Sequence, residues 1–443
     1  MSAPKQIDAL RLRQIIESCL RRELAPKAAL PRLDEDLIDS GALDSMAWVG
    51  VIRCVEAAAN VPDLGARLAE APASIASLLA ALESPSPARP KQPQKTTSKP
   101  AAARPPAHTD AQAVILGWGE ALGSQVIPAE QIESEFGLTP GKLRDRAGIE
   151  SVRRVTGPEN EFNLAAVATR AALKRARAKP ADLDFLIVTS ETSLGYPSLG
   201  AQLHSRLLAR DTCGVLDVGG ACLGLLNGIA VARSLIAGGS ARKVLVVSAD
   251  VHTHQLAPGR VPGEFGGLFG DGASAFILAA GAASGPSPAS YRLGEFIFGC
   301  AGAYAGAIRV GPAGGGRVDL HFDGEALSRA AVSRLERIIA DLELRSSVNR
   351  DDVGAFATHQ PNPRLVELLA RRMDVPIEKF PTVARICGNL GSSTCGVALN
   401  QALTVQAALP AAARLPIFLA SLGPGLLWGG GVIHPSSPER PPR

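Results

Sequence analysis

Residues Leu216–Gly239 read LDVGGACLGLLNGIAVARSLIAGG, and the understanding of the larger part of the chain turns on them. The stretch begins inside a short apolar run, Val215-Leu-Asp-Val218, that reads as a strand, and it carries Cys222 just after a Gly-Gly pair. Outward from it, strand-like runs occur at 113–116, 184–188, 244–247 and 273–278, with a helix predicted over 163–178. The second half repeats the alternation. A helix is predicted over 325–342, with Leu327, Ala331, Leu335, Ile338 and Leu342 along one stripe, and strands over 353–358 and 416–421. Short buried strands alternating with helices predict an α/β fold whose strands are covered on both faces.

The chain has 443 residues, too many for one ordinary core, so two or three domains are expected. Apolar residues make up 46% and charged residues 20%, the balance of a globular enzyme. No apolar run approaches the ~18 residues that span a bilayer, and Met1–Ile7 lacks a signal-type apolar stretch. The reading is therefore of a cytoplasmic protein with no membrane partner. Net charge is +4, and much of the basic excess (Arg89, Lys91, Lys95, Lys99, Arg104) falls in one Pro-rich tract read as solvated linker. Aromatics are only 4%, too few for stacking platforms, so no nucleic-acid partner is expected. The seven cysteines are widely spaced, with no CxxC pair. That argues against a zinc site or a disulfide framework and for a reducing compartment.

Composition changes sharply near residue 84. Residues 84–110 are rich in Pro, Lys and Ala and nearly empty of apolar side chains, which predicts an extended linker. Its flexible-coil reach is about 30 Å, its polyproline reach roughly 80 Å. Before it, residues 1–83 read as a small helical module. A first helix over 7–24 carries Leu10, Leu12, Ile15, Ile16, Cys19 and Leu20. A second opens near Asp44-Ser45 with Met46, Val49, Ile52 and Val55 on one face, and a short one follows over 74–82.

The segment Asp36-Leu-Ile-Asp-Ser-Gly-Ala-Leu-Asp-Ser-Met46 resembles the acyl carrier protein signature, with Met46 where a leucine is usual. The resemblance implies an all-α four-helix carrier domain bearing covalent 4'-phosphopantetheine on Ser45, attached by a phosphopantetheinyl transferase. A serine at a helix start is reachable by such an enzyme, and its phosphodiester would face the positive end of the helix. Asp and Ser are also ordinary N-cap residues. Ser40 is the rival site, but Gly rather than an apolar helix face follows it.

The opening stretch itself resembles the nucleophile segment of β-ketoacyl-ACP synthase III, in which a strand runs through Ala-Cys into a buried helix. Two further motifs match in order, Thr358-His-Gln-Pro-Asn-Pro-Arg364 and Cys387-Gly-Asn-Leu-Gly-Ser392. The resemblance implies a thiolase-like duplicated five-layer αβαβα fold, with the nucleophile half at 111–285 and the half bearing the other two motifs at 286–443. It implies Cys222 as nucleophile, with His359 and Asn389 donating hydrogen bonds to a malonyl-type thioester as it loses carbon dioxide. A helix N-terminus beside Cys222 is expected to favour the thiolate by about one pKa unit. Arg146 and Arg364 match carrier-docking positions, which ordinary surface arginines could also fill. Phe269-Gly-Asp-Gly-Ala273 matches a structural turn, and Tyr196-Pro197-Ser198 matches a segment that crosses a homodimer interface. No metal is implied.

Two places depart from the family pattern. Lys142 stands where a tryptophan stacks on the coenzyme A adenine, and the partner arginine is replaced by Gly263, with Arg260 nearby. The expected donors are therefore acyl and malonyl thioesters on carrier protein, with coenzyme A as the other source. Leu422-Gly-Pro-Gly-Leu-Leu-Trp428 replaces a run of three glycines, and Pro424 has no N–H to complete an oxyanion hole. Gly425 is taken as the donor beside Cys222, on the analogy of a similar loop in the chalcone synthase family. The leading reading is a decarboxylating condensation. The alternatives are a non-condensing acyltransferase that passes its acyl group to an alcohol or amine, and a non-catalytic partner subunit.

Overall fold

The computed structural model describes residues 9–24, 29–40, 42–43, 45–61, 64–68, 71–83, 112–281, 290–313 and 317–436. The chain forms two compact units, Met1–Ala102 and Ala103–Arg443. The predicted linker over 84–110 lies outside the described residues, as does Asp44.

The first unit has helices at Ala9–Glu23, Ser45–Ala59, Leu64–Arg67 and Ile75–Glu83. Spacings of three and four bring Leu12, Ile16, Cys19 and Leu20 of the first helix to one buried face. Trp48, Val51 and Val55 of the second helix and Leu78 of the last complete the core. Leu10, placed on the buried stripe by sequence, is exposed, because it falls outside that face. The Asp36 carboxylate accepts backbone N–H bonds from Ile38, Asp39 and Ala73, tying the acidic loop to the entry of the last helix. One expectation is corrected here. Cys19 and Cys54 form a disulfide, with Cα atoms 5.7 Å apart. Their separation of 35 residues gave no sign of it, since only the pairing of two helices brings them together.

The second unit contains β1 (Ala113–Leu122), β2 (Gln125–Pro128), β3 (Ser151–Arg154), β4 (Phe185–Thr189), β5 (Gly214–Asp217), β6 (Lys243–Val251) and β7 (Asp271–Ala280). Then come β8 (Tyr291–Cys300), β9 (Ile308–Ala313), β10 (Arg317–Phe322), β11 (Ala355–Thr358), β12 (Ile417–Gly423) and β13 (Leu427–Pro435). Nine of them form one mixed sheet, in the order β11-β12-β13-β8-β1-β7-β6-β4-β5. Its two halves meet where β1 pairs with β8 through Val114–Arg292 and Ile115–Tyr291. In the first half β4 runs parallel to β5 and β6, and in the second β11 runs parallel to β12.

Helices Gly224–Ala237 and Ser392–Ala408 share a core between the halves, through Leu225, Ile229, Val397 and Leu403. The second is buried on nearly every side, which is why its sequence shows no amphipathic stripe. Helix Glu161–Ala176 packs on the outer face of the first half, and helices Gly324–Ser346 and Pro363–Met373 on that of the second. The layers are thus α, β, α, β, α.

Of the nine strands in the main sheet, sequence reading missed β8 and β13, and it also missed the two small pairs β2–β3 and β9–β10. Strand β13 holds Gly429, Gly430 and Gly431, a composition that argues against a strand. The glycines are needed for close approach: a Cβ on Gly430 would lie 2.5 Å from the Ile338 side chain, and one on Gly431 2.5 Å from Phe296.

Candidate active site

In open α/β sheets, functional groups gather where the carboxyl ends of parallel strands release the chain. Here β5 leads into Cys222, β4 into Glu191, β6 into Asp250 and His252, and β11 into His359. Loop 423–426 leaves β12. Cys222, His359 and Asn389 line one cavity of about 150 Å³, walled by Phe265, Phe269, Leu327, Leu335, Leu365 and Leu422 among others. The sequence-predicted trio is therefore brought together from both halves.

Cys222 sits in a single 3₁₀ turn, Ala221–Leu223, immediately before helix Gly224–Ala237. Ala221 has a left-handed backbone, φ 48°, that turns the chain sharply between strand and helix. The Ser421 hydroxyl donates to the Cys222 carbonyl at 2.8 Å, so β12 holds the turn from the other half. The helix contribution expected to favour the thiolate is outweighed. Burial, then the negative charges of Glu191 and Asp250, push the thiol pKa well above the ordinary value.

Asn389 lies in the turn before helix Ser392–Ala408 and is buried. Its backbone N–H donates to the Leu268 carbonyl and its carbonyl accepts from Gly270, which pins the turn to the neighbouring half. The side-chain oxygen accepts from the Gly391 N–H at 3.0 Å and the Thr394 hydroxyl at 3.0 Å. A backbone N–H can only donate, so the acceptor must be the amide oxygen, and the NH₂ is left as the available donor. His359 is buried, its N–H donates to the Ala420 carbonyl, and its Nδ1 has no hydrogen-bond partner. Burial lowers its pKa to about 4, so the ring is neutral at neutral pH.

Sequence reasoning missed a charged cluster beside these groups. The Glu191 carboxylate pairs with His252 at 3.5 Å, and its backbone N–H donates to Asp250 at 2.6 Å. Burial alone would lower the His252 pKa, but Glu191, Asp250 and Asp271 outweigh it and raise it to about 9. Asp250 is pushed up to about 6 by burial and by Glu191. Gly391 (φ 60°) makes room for the cluster: a Cβ there would lie 2.5 Å from His252 and 3.0 Å from Glu191 Oε1. The available signal was an acid placed directly after an apolar parallel strand, in Val188-Thr-Ser-Glu191. Asp271 accepts from Thr253 and from the Val155 backbone, the structural role expected of its turn.

Gly423, Pro424 and Leu426 line the cavity. Gly425, taken from the sequence as an oxyanion donor, is not among the lining residues, and its carbonyl accepts from Cys300. Arg364 donates to the Asp145 carbonyl, so the two docking candidates Arg146 and Arg364 lie on neighbouring surface segments. In place of the aromatic–arginine clamp, Lys142 forms an ion pair with Glu264 at 2.6 Å. Ser45 is the first residue of helix Ser45–Ala59. No group of three metal-ligating side chains occurs among the described residues, and no described helix is long and apolar enough to cross a membrane.

A family model described as 3-oxoacyl-[acyl-carrier-protein (ACP)] synthase III matches residues 216–295, and its C-terminal counterpart matches residues 344–434. A β-ketoacyl-[acyl-carrier-protein] synthase III from Rubrobacter xylanophilus is 30% identical over 282 residues, covering 63% of this chain and 86% of the relative. One from Roseiflexus castenholzii is 29% identical over 336 residues, covering 73% and 98%. The crystal structure of the Pseudomonas aeruginosa 3-oxoacyl-(acyl carrier protein) synthase III shares the fold, with a TM-score of 0.65 at 24% identity, over 75% of this chain and 100% of that one. With the cavity and its motifs, these matches establish that the chain belongs to the β-ketoacyl-[acyl-carrier-protein] synthase III family.

Proposed function

We propose that the chain catalyses a decarboxylative Claisen condensation between an acyl group held on Cys222 and a malonyl-type thioester, in fatty acid or polyketide biosynthesis. The observation that carries this reading is the single apolar cavity lined by Cys222, His359 and Asn389. A thioester carbonyl seated there would meet the Asn389 NH₂ and the neutral His359 ring. Loss of carbon dioxide places enolate charge on that oxygen, and fixed donors in a dry cavity stabilise it. The enolate carbon attacks the Cys222 thioester, and the sulfur leaves and regains a proton.

Carrier-bound donors are favoured over coenzyme A by the Lys142–Glu264 ion pair, which offers no face for adenine stacking. The N-terminal unit is proposed to be the chain's own acyl carrier domain, modified on Ser45 by a phosphopantetheinyl transferase. Ser45 opens a 15-residue helix with no acid in its first turn, an end that suits a phosphodiester. The group would supply a flexible thiol for acyl cargo. A homodimer is proposed through the open edge at β5, beside the exposed Leu194 (78%) and Tyr196 (97%).

Mass spectrometry tests both sites. After treatment with a phosphopantetheinyl transferase and coenzyme A, the Ser45 peptide gains the arm's mass, and Ser45→Ala abolishes it. With acyl-carrier, the Cys222 peptide gains an acyl group, and addition of malonyl-carrier releases carbon dioxide. Acylation without carbon dioxide release would point instead to the non-condensing acyltransferase.

A further inference from the structure

Glu191 stands out as a largely buried ionisable group, 18% exposed, that the condensation just described does not use. It leaves β4 in the turn 190–193, where its N–H is held by Asp250. One carboxylate oxygen faces His252, while the other, Oε1, is buried with no hydrogen-bond partner. The ends of β4 and β5 lie side by side here, since a Cβ on Gly224, two residues past Cys222, would lie 2.0 Å from Thr189 Oγ1, two residues before Glu191. The Glu191 charge acts on both the Cys222 thiol and the His359 ring. Groups on every neighbouring element bear on it: Asp250 near the end of β6 and His252 just after it, Asp271 at the start of β7 acting through His252, Cys222 and His359. Glu161 is engaged one residue further on, by the Thr192 hydroxyl.

We infer that Glu191 is a further catalytic residue, the acceptor of the Cys222 thiol proton when the enzyme takes up its acyl group. The inference rests on the reading of Cys222 as nucleophile. A thiol in this cavity carries its proton at neutral pH, because burial and the nearby acids disfavour a standing thiolate. Attack on a thioester then needs a base within reach of the thiol. Glu191 lies beside the thiol with one oxygen unpartnered and is held ionised by His252, while His359 is left for the carbonyl of the second substrate.

The step balances. As Sγ bonds to the acyl carbon, the thiol proton moves to a Glu191 oxygen and the carbonyl electron pair moves onto its oxygen. When that pair returns, the bond from carbon to the donor sulfur breaks, and the departing thiolate takes the proton from Glu191. The carboxylate ends ionised and no net proton is gained or lost.

The test follows acyl loading of Cys222 in the full-length protein from pH 6 to 10, with Glu191→Gln and Glu191→Asp beside the parent. Loading by the parent is expected to vary little between pH 7 and 9. Glu191→Gln should load about 10²-fold or more slowly at pH 7 and recover about tenfold per pH unit as thiolate forms. Glu191→Asp, which keeps a carboxylate, should restore part of the rate. Alkylation of Cys222 by iodoacetamide gives a readout independent of the acyl donor. There Glu191→Gln should titrate at lower pH than the parent by on the order of one unit or more, since a like charge has gone. Loading of Glu191→Gln within twofold of the parent at pH 7, with the same pH slope, overturns the role of Glu191 alone. A parent that never carries an acyl group on Cys222 overturns the proposed function and this inference together.

Discussion

Replacing Asn389 by Asp is a clean perturbation because the structure separates what the side chain does for the fold from what it offers the cavity. Its oxygen accepts two bonds, from the Gly391 N–H and the Thr394 hydroxyl, and Asp retains an oxygen for both. What is lost is the NH₂ donor. Loss of one preorganised donor to a developing oxyanion costs about 3 to 4 kcal/mol, a rate loss on the order of 10² to 10³. Asn389→Leu makes the contrast. It removes the same donor and also strands the Gly391 N–H and Thr394 hydroxyl, each at about 1 to 3 kcal/mol of stability. The assay is carbon dioxide release from malonyl-carrier at pH 8, where the new carboxyl is ionised, alongside denaturant unfolding of each variant. Both variants should lose turnover to a similar degree, while only Asn389→Leu should lose several kcal/mol of stability. Turnover of Asn389→Asp within tenfold of the parent would refute the assignment of Asn389 as an oxyanion donor.

Two further predictions concern charge. His252 titrates near 9 in the folded chain against an ordinary 6.5, so the folded state holds a proton that the unfolded state has released between those values. Stability is therefore present below pH 6.5 and lost as pH rises to 9, by on the order of 3 kcal/mol, and His252→Gln should flatten that slope in urea titrations. On the acid side His359, near 4, loses stability as pH falls, while Asp250, near 6, gains it, so that limb should be shallower. Separately, the Lys142–Glu264 pair is largely exposed, and replacing it by Trp and Gln should change stability by less than about 1 kcal/mol. The ratio of loading rates from acyl-coenzyme A and acyl-carrier should rise about fivefold or more in that variant, as stacking worth about 1 kcal/mol or more is restored.

Much of the site was legible because each of its three members sits in local text with its own meaning. Cys222 follows a strand and precedes a helix, His359 ends a strand, and Asn389 occupies a glycine-flanked turn. Strand β13 escaped sequence reading for a packing reason: its glycines suit a strand only because Phe296 and Ile338 press against it. The net direction of the Cys222 shift was not legible either. A helix N-terminus is visible in the sequence, whereas the burial that outweighs it, and the acids that add to that burial, come from the folded chain.

From its residues alone the chain could be divided into a helical module and an α/β part, because periodicity and turn chemistry are properties of neighbours in sequence, while the resemblance of three short motifs to a known family named the nucleophile and donors. Only the folded chain joined Cys19 to Cys54, set Glu191 against His252 and beside the Cys222 turn, and left the Asn389 NH₂ free by occupying its oxygen. Those facts depend on which segments meet across the sheet, and burial there decides which charges survive and which polar atoms still lack a partner.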